Sequence, residues 1–514
     1  MDLTIITRRG ARQFAESVAV RCDDSTQTYG QLYERSCRLA NALCDLGVQP
    51  GERVATLSDN CLETVEQMAG IALGGYVRTA LYTHNSGESN LYLLNLVEAA
   101  VLIVEAKHYS AIAPRLAGAP SVRHVLVFGA DAPEGTLDYE AALAAAASVD
   151  RNITLRVDDP HVIRFSAGTT GKPKGILHTV AGWRGVATEM TLSMPRMDDT
   201  DRYLAAGPLS HAAMLPMFGT LAGGGTIVVM RAFRPAAFLD LLERHRCTTT
   251  MLVPTMIQMI VNDPAAAGTD VSSLRAVFYG AAPISERTLQ DARGLWGDVM
   301  YQMYGQSEAV PLTVLAPADH TGERLRSAGR PTPNAQIRIV DDRGEDVPAG
   351  EVGEIAARTP AAMAAIWRDP QATAERILAD GSVLTRDMGY LDEDGFLFLA
   401  DRKEDMIISG GFNIWPAELE NVLASHPAVA QVAVVGVPHE KWGETPKAVV
   451  VLRDGNTVSA DELIEWTRDK LGAVKRVTSV EFVSDLPTSA LGKVLRREVK
   501  ARFWQDAARS VAGA

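Results

Sequence analysis

The stretch Ser166-Ala167-Gly168-Thr169-Thr170-Gly171-Lys172-Pro173-Lys174-Gly175 follows the apolar run Val162–Phe165, and its reading decides how the rest of the chain is understood. Glycines let a backbone approach an anion closely, while the hydroxyls of Ser166, Thr169 and Thr170 and the backbone N–H groups can donate to phosphate oxygens. Lys174 adds a point charge. The segment is not a G-x-x-x-x-G-K-[ST] loop, because Ser166 stands at the first glycine and Pro173 follows Lys172. A surface turn tolerates this composition, but such a run directly after a buried strand points to phosphate.

Outward from this loop the chain alternates. A helical pattern follows it through Met194. Thr226–Met230, Thr248–Val253, Ala276–Tyr279 and Val299–Met303 are apolar runs separated by helical segments, one of which starts at Pro235. Strands apolar on both faces and alternating with helices predict parallel sheets covered by helices, an α/β fold. Upstream, Thr28-Tyr29-Gly30 opens an amphipathic helix that Gly47 can end, and Ala100–Val104 is a buried strand. After about residue 330 the texture becomes β-rich, with a hairpin turn at Asp392–Gly395. A smaller α+β pattern follows the charged run Asp401-Arg402-Lys403-Glu404-Asp405. The expected organisation is a large N-terminal domain over 1–400, with a small β-rich subdomain, and a C-terminal domain over 401–514.

The composition excludes several classes. The chain has 514 residues, 47% of them apolar, and a formal charge of −13. Such an acidic chain has no general pull toward nucleic acid or anionic lipid, so a bound anion needs a local device. Cys22, Cys37, Cys44, Cys61 and Cys247 are odd in number and lack C-x-x-C spacing, which predicts reduced thiols and no zinc site. No apolar run of signal-peptide length follows Arg8 and Arg9, and no run has the length of a membrane span, so a cytoplasmic protein is expected.

Five further segments carry chemistry. Gly280-Ala281-Ala282-Pro283 is a turn of small residues after a strand, and Gln302-Met303-Tyr304-Gly305-Gln306-Ser307-Glu308 ends the next strand. Thr385-Arg386-Asp387 offers a carboxylate whose two oxygens suit a vicinal diol. Ser409-Gly410-Gly411-Phe412 and Pro487-Thr488-Ser489-Ala490-Leu491-Gly492-Lys493 lie in the C-terminal part.

Together and in this order, these segments resemble the motifs of the adenylate-forming superfamily, acyl-CoA synthetases in particular, from about residue 28 to 500. The resemblance implies that Ser166, Gly168, Thr169, Thr170, Gly171 and Lys174 cradle the phosphates of ATP. It places Gly280, Ala281, Ala282, Gln302 and Tyr304 at the adenine, and Ser307 at the α-phosphate. Asp387 and Arg402 would reach the ribose and nucleotide, and Asp401 would be the hinge. Glu308 and Thr169 would hold Mg²⁺, and Lys493 would be the catalytic lysine of adenylation. Gly410 and Gly411 would line a tunnel for coenzyme A. Ala167, Met303, Arg386 and Ser489 depart from the family pattern.

His211, in Pro208-Leu209-Ser210-His211, is either a gate of the acyl site or a structural histidine. With Ala212, Met214 and Met303, and with Met217, Met256 and Met259, it would border an apolar, adaptable pocket. No Asp occurs in 207–217, where amino-acid-activating relatives hold an α-amino group. The resemblance therefore implies an AMP-forming acid–CoA ligase using ATP, Mg²⁺ and coenzyme A on an apolar carboxylic acid. It leaves a homodimer open. A ligase loading a carrier protein, a luciferase-like oxygenase and a non-catalytic nucleotide-binding regulator are the rival readings.

Overall fold

A computed structural model of the chain describes residues 2–166, 173–402, 405–409, 412–439, 442–472, 475–488 and 494–504, apart from the side chains of 401, 402 and 413. The chain folds as mixed α/β. One sheet of nine strands and one of eight make up the bulk of the N-terminal part, and most of their neighbouring strands run parallel. Fully buried strands such as Ala99–Glu105 read as continuous apolar runs because helices cover both faces.

Local chemistry sets the element boundaries. The helix Tyr29–Asp45 starts at Thr28, whose hydroxyl accepts from the Gln31 N–H while the Gln31 side chain returns to the Thr28 N–H. It ends before Gly47, at φ +78°. Helix Pro235–Arg244 places its proline at the first turn, where a missing N–H costs nothing.

One expectation fails in an instructive way. The segment after the glycine-rich loop is not helical from the start. Lys174–Thr179 is a strand, antiparallel to Pro160–Ser166, and only then does the helix Val180–Leu192 begin. The segment thus connects two antiparallel strands, not a strand and a helix.

The β-rich part is a four-stranded antiparallel sheet that includes Gln336–Val340, Gly353–Arg358, Val383–Leu391 and Leu397–Arg402. Beyond it, a five-stranded sheet with helices Pro416–Ala424 and Ala460–Leu471 carries its own core. That core includes Ile407, Leu419, Val434, Val450 and Leu463, all nearly fully buried. Among the described residues, the apolar clusters upstream end at Leu397 and those downstream begin at Ile407.

Candidate active site

The strand Pro160–Ser166 alternates faces. Ile163 and Phe165 pack into an apolar cluster, so Arg164 and Ser166 point the other way. Ser166 is paired in register with Lys174, which brings the two ends of the glycine-rich segment together at the ends of two neighbouring strands. Lys174 Nζ lies 3.7 Å from Asp369 Oδ2, and both side chains are partly exposed. Gly168, Thr169, Thr170 and Gly171 lie outside the described residues, as do Gly410, Gly411, Lys493 and the side chain of Arg402.

The strands Ala276–Gly280 and Met300–Tyr304 run parallel, with Gly280 opposite Met303. A Cβ on Gly280 would sit 2.1 Å from the Met303 carbonyl oxygen, so the close approach requires glycine. Ala281 follows at φ +66° and is exposed, and Ala282 is half-buried. Gln302 faces Tyr279, whose hydroxyl is 3.4 Å from its Oε1. Beyond Tyr304 the chain is pinned from below, where His178 Nε2 donates to the Ser307 carbonyl at 2.8 Å.

Asp387 is brought to Tyr304 from another sheet. The Tyr304 hydroxyl donates to Asp387 Oδ2 at 2.8 Å, and the Gln306 amide donates to the same oxygen. Asp387 also lies opposite Arg402 in the strand register. Arg386, standing where glycine was expected, holds φ +63°. Its N–H donates to Glu354 Oε1 at 3.1 Å and its guanidinium reaches the Glu375 carbonyl at 3.3 Å. These contacts offset the cost of a left-handed non-glycine residue, roughly 1–2 kcal/mol.

Glu308 is 8% exposed and ion-pairs through Oε1 with Arg376 Nη2 at 3.3 Å. Its carboxylate offers hard oxygen donors of the kind Mg²⁺ takes. The donor set fits that ion.

His211 is enclosed. Its ring lies 4.5 Å from the Tyr82 ring, its Nδ1 shares a hydrogen bond with Ser210 Oγ at 2.8 Å, and burial pushes its pKa down to about 4. It is therefore neutral at physiological pH. Met214 and Met303 are buried in the same apolar cluster, and Ala212 packs against it. Met217 belongs there too, but Met259 is 51% exposed and lines nothing. Helical spacing misplaced it by one face.

Two residues at this site carry no motif. Tyr82 donates to the Phe165 carbonyl at 3.2 Å and so ties His211 to the strand before the loop. Arg164 lies on that strand. An arginine inside an otherwise apolar run was the available signal, since charges are rarely buried without a reason.

The fold is that of the adenylate-forming enzymes. An amide bond synthetase structure from Marinactinospora thermotolerans superposes with a TM-score of 0.87 at 32% identity, covering 98% of this chain and 100% of that one. A feruloyl-CoA synthase from Amycolatopsis is 38% identical over 501 residues, 96% of this chain and 98% of that protein. A medium/long-chain-fatty-acid–CoA ligase from Mycobacterium tuberculosis is 37% identical over 506 residues, 95% and 88% of the two chains. The AMP-binding enzyme model matches residues 7–367 and the AMP-binding enzyme C-terminal domain matches 418–493. The chain belongs to the AMP-binding enzyme family.

No helix among the described residues is long and apolar enough to cross a membrane. All five cysteines are free, and four of them are buried.

Proposed function

We propose that this protein activates an apolar carboxylic acid, aliphatic or aromatic, and passes it to coenzyme A. The chain is an ATP-dependent, AMP-forming acid–CoA ligase. The carboxylate attacks the α-phosphorus of ATP to give an acyl-adenylate and pyrophosphate, and the thiol then displaces AMP to form the thioester. The chemical difficulty is repulsion between an anionic nucleophile and a triphosphate, so preorganised positive charge and hydroxyls are needed where charge develops.

The observation that carries the reading is the meeting of Tyr304 and Gln306 with Asp387, remote from them in sequence, together with the pairing of Ser166 and Lys174 at the two ends of the glycine-rich segment. In this reading Asp387 takes the ribose hydroxyls and Tyr304 packs on adenine against the Gly280-Ala281-Ala282 turn. Ser166, Gly168, Thr169, Thr170, Gly171, Lys174 and Ser307 receive the phosphates. Glu308 and Thr169 would hold Mg²⁺, which offsets phosphate charge when bound. Neutral His211, with Ala212, Met214 and Met303, borders the acyl group. The absence of a carboxylate there disfavours an ammonium-bearing substrate.

The separate cores upstream of Leu397 and downstream of Ile407 support two domains, 1–400 and 401–514, hinged at Asp401. Rotation there would exchange Lys493 for Gly410 and Gly411 at the site between the two half-reactions. Cytoplasmic location and a homodimer belong to the same reading.

A panel of aliphatic and aromatic acids assayed for pyrophosphate release, followed by trapping with coenzyme A, an amine or a carrier protein, tests it. Acyl-CoA and AMP are expected. Product only on the amine or the carrier protein would refute the assigned acceptor.

A further inference from the structure

Arg164 carries a guanidinium whose charge is not matched by an ion pair among the described residues. Its Nη1 is buried and has no hydrogen-bond partner among them. Arg78, on the neighbouring strand Val77–Ala80 and paired opposite Val162, is 6% exposed. Among the described residues it meets the Met214 sulfur at 3.4 Å and the face of Trp183. Among the described residues the carboxylate that interacts with Arg164 is Glu308, and its Oε1 is taken by Arg376 at 3.3 Å. Burial lowers the pKa of Arg164, and that of Arg78 to about 10, yet both remain charged at neutral pH. Arg164 as a whole is half-buried, but its enclosed Nη1 lacks an acceptor, and an enclosed charged donor without an acceptor is costly until one is supplied.

Position narrows the anion. Arg164 shares a strand face with Ser166, two residues short of the glycine-rich loop. The Phe165 carbonyl between them is held by Tyr82, whose ring lies against His211. Arg164 also contributes to the lowered pKa of His211 and His178. The guanidinium is therefore within electrostatic reach of both His211, on the acyl side, and Glu308, on the phosphate side, where a reacting carboxylate would meet ATP.

We propose that Arg164 binds the carboxylate of the acid substrate and orients it for attack on ATP. This rests on the ligase reading above. A guanidinium fork holds two carboxylate oxygens in one plane, which fixes direction as well as charge. Acids of different tails share that group, so the contact is independent of the tail.

The test uses the full chain with ferulate and decanoate and their primary amides, measured by calorimetry so that turnover is not required. Wild type should bind each acid at least tenfold more tightly than its amide, and Arg164→Gln should abolish that preference. Arg164→Lys should restore part of it. In steady state, Arg164→Gln should raise KM at least tenfold for every acid turned over while KM for ATP stays within twofold. Equal wild-type affinity for acid and amide would overturn the proposal even if the variants fail to fold. So would a loss confined to one acid, which would mark a tail contact, or a raised KM for ATP, which would mark a phosphate contact. Absence of pyrophosphate release with a carboxylate preference lost in Arg164→Gln would defeat the ligase reading alone. Normal release with the preference retained would defeat the role of Arg164 alone.

Discussion

Tyr304 donates its hydroxyl to Asp387 Oδ2 at 2.8 Å across 83 residues of chain, with the Gln306 amide on the same oxygen. The carboxylate is thus oriented before any ligand arrives, and a group that need not reorganise is worth more to binding than a mobile one.

Asp387→Ala should therefore raise KM for ATP tenfold or more, since it removes charge-assisted hydrogen bonds of about 1.5–3 kcal/mol each. Tyr304→Phe should cost less, about 1 kcal/mol, because Gln306 still holds the oxygen. Steady-state kinetics on both variants checks the order. Wild-type constants for Asp387→Ala would make it a turn residue only.

The left-handed backbone at Arg386 gives a stability prediction. Arg386→Gly should keep the turn and leave KM for ATP within about twofold. Arg386→Val, branched at Cβ, should destabilise by roughly 1–3 kcal/mol in urea unfolding. Equal stability of the two variants would mean the backbone relaxes there.

His178 and His211 give a pH dependence. Both are pushed down to about 4 by burial, below the unfolded value of about 6.5. Between those values the unfolded chain binds more protons, so stability is full above about pH 6.5 and falls as pH drops toward 4, by up to about 1.4 kcal/mol per pH unit per histidine. Urea midpoints from pH 7 to 5 should fall, and His211→Gln should flatten the slope. A slope unchanged in that variant would show that His211 does not contribute.

Much of the fold was legible because its rules are local. Apolar runs such as Ala99–Glu105 have one satisfactory burial, and Thr28 with Gln31 announces a helix start. Lys174–Thr179 was missed because its polar ends and the apolar helix after it merge into one apparent helical period. The motifs named Tyr304 and Asp387 separately, but their contact is a product of tertiary packing between two sheets. Arg164 has no motif, and its meaning comes from the enclosed Nη1 that lacks a partner among the described residues, which only packing reveals.

The two-step mechanism with alternating domains is tested most directly by timing each half-reaction in Lys493→Ala. Removing a donor used only while charge develops at phosphorus should slow acyl-adenylate formation by roughly 10²–10³-fold. Thioester formation from chemically supplied acyl-adenylate and coenzyme A should proceed at close to the wild-type rate, and Gly411→Leu should show the reverse pattern. Equal losses in both half-reactions for Lys493→Ala would contradict the account.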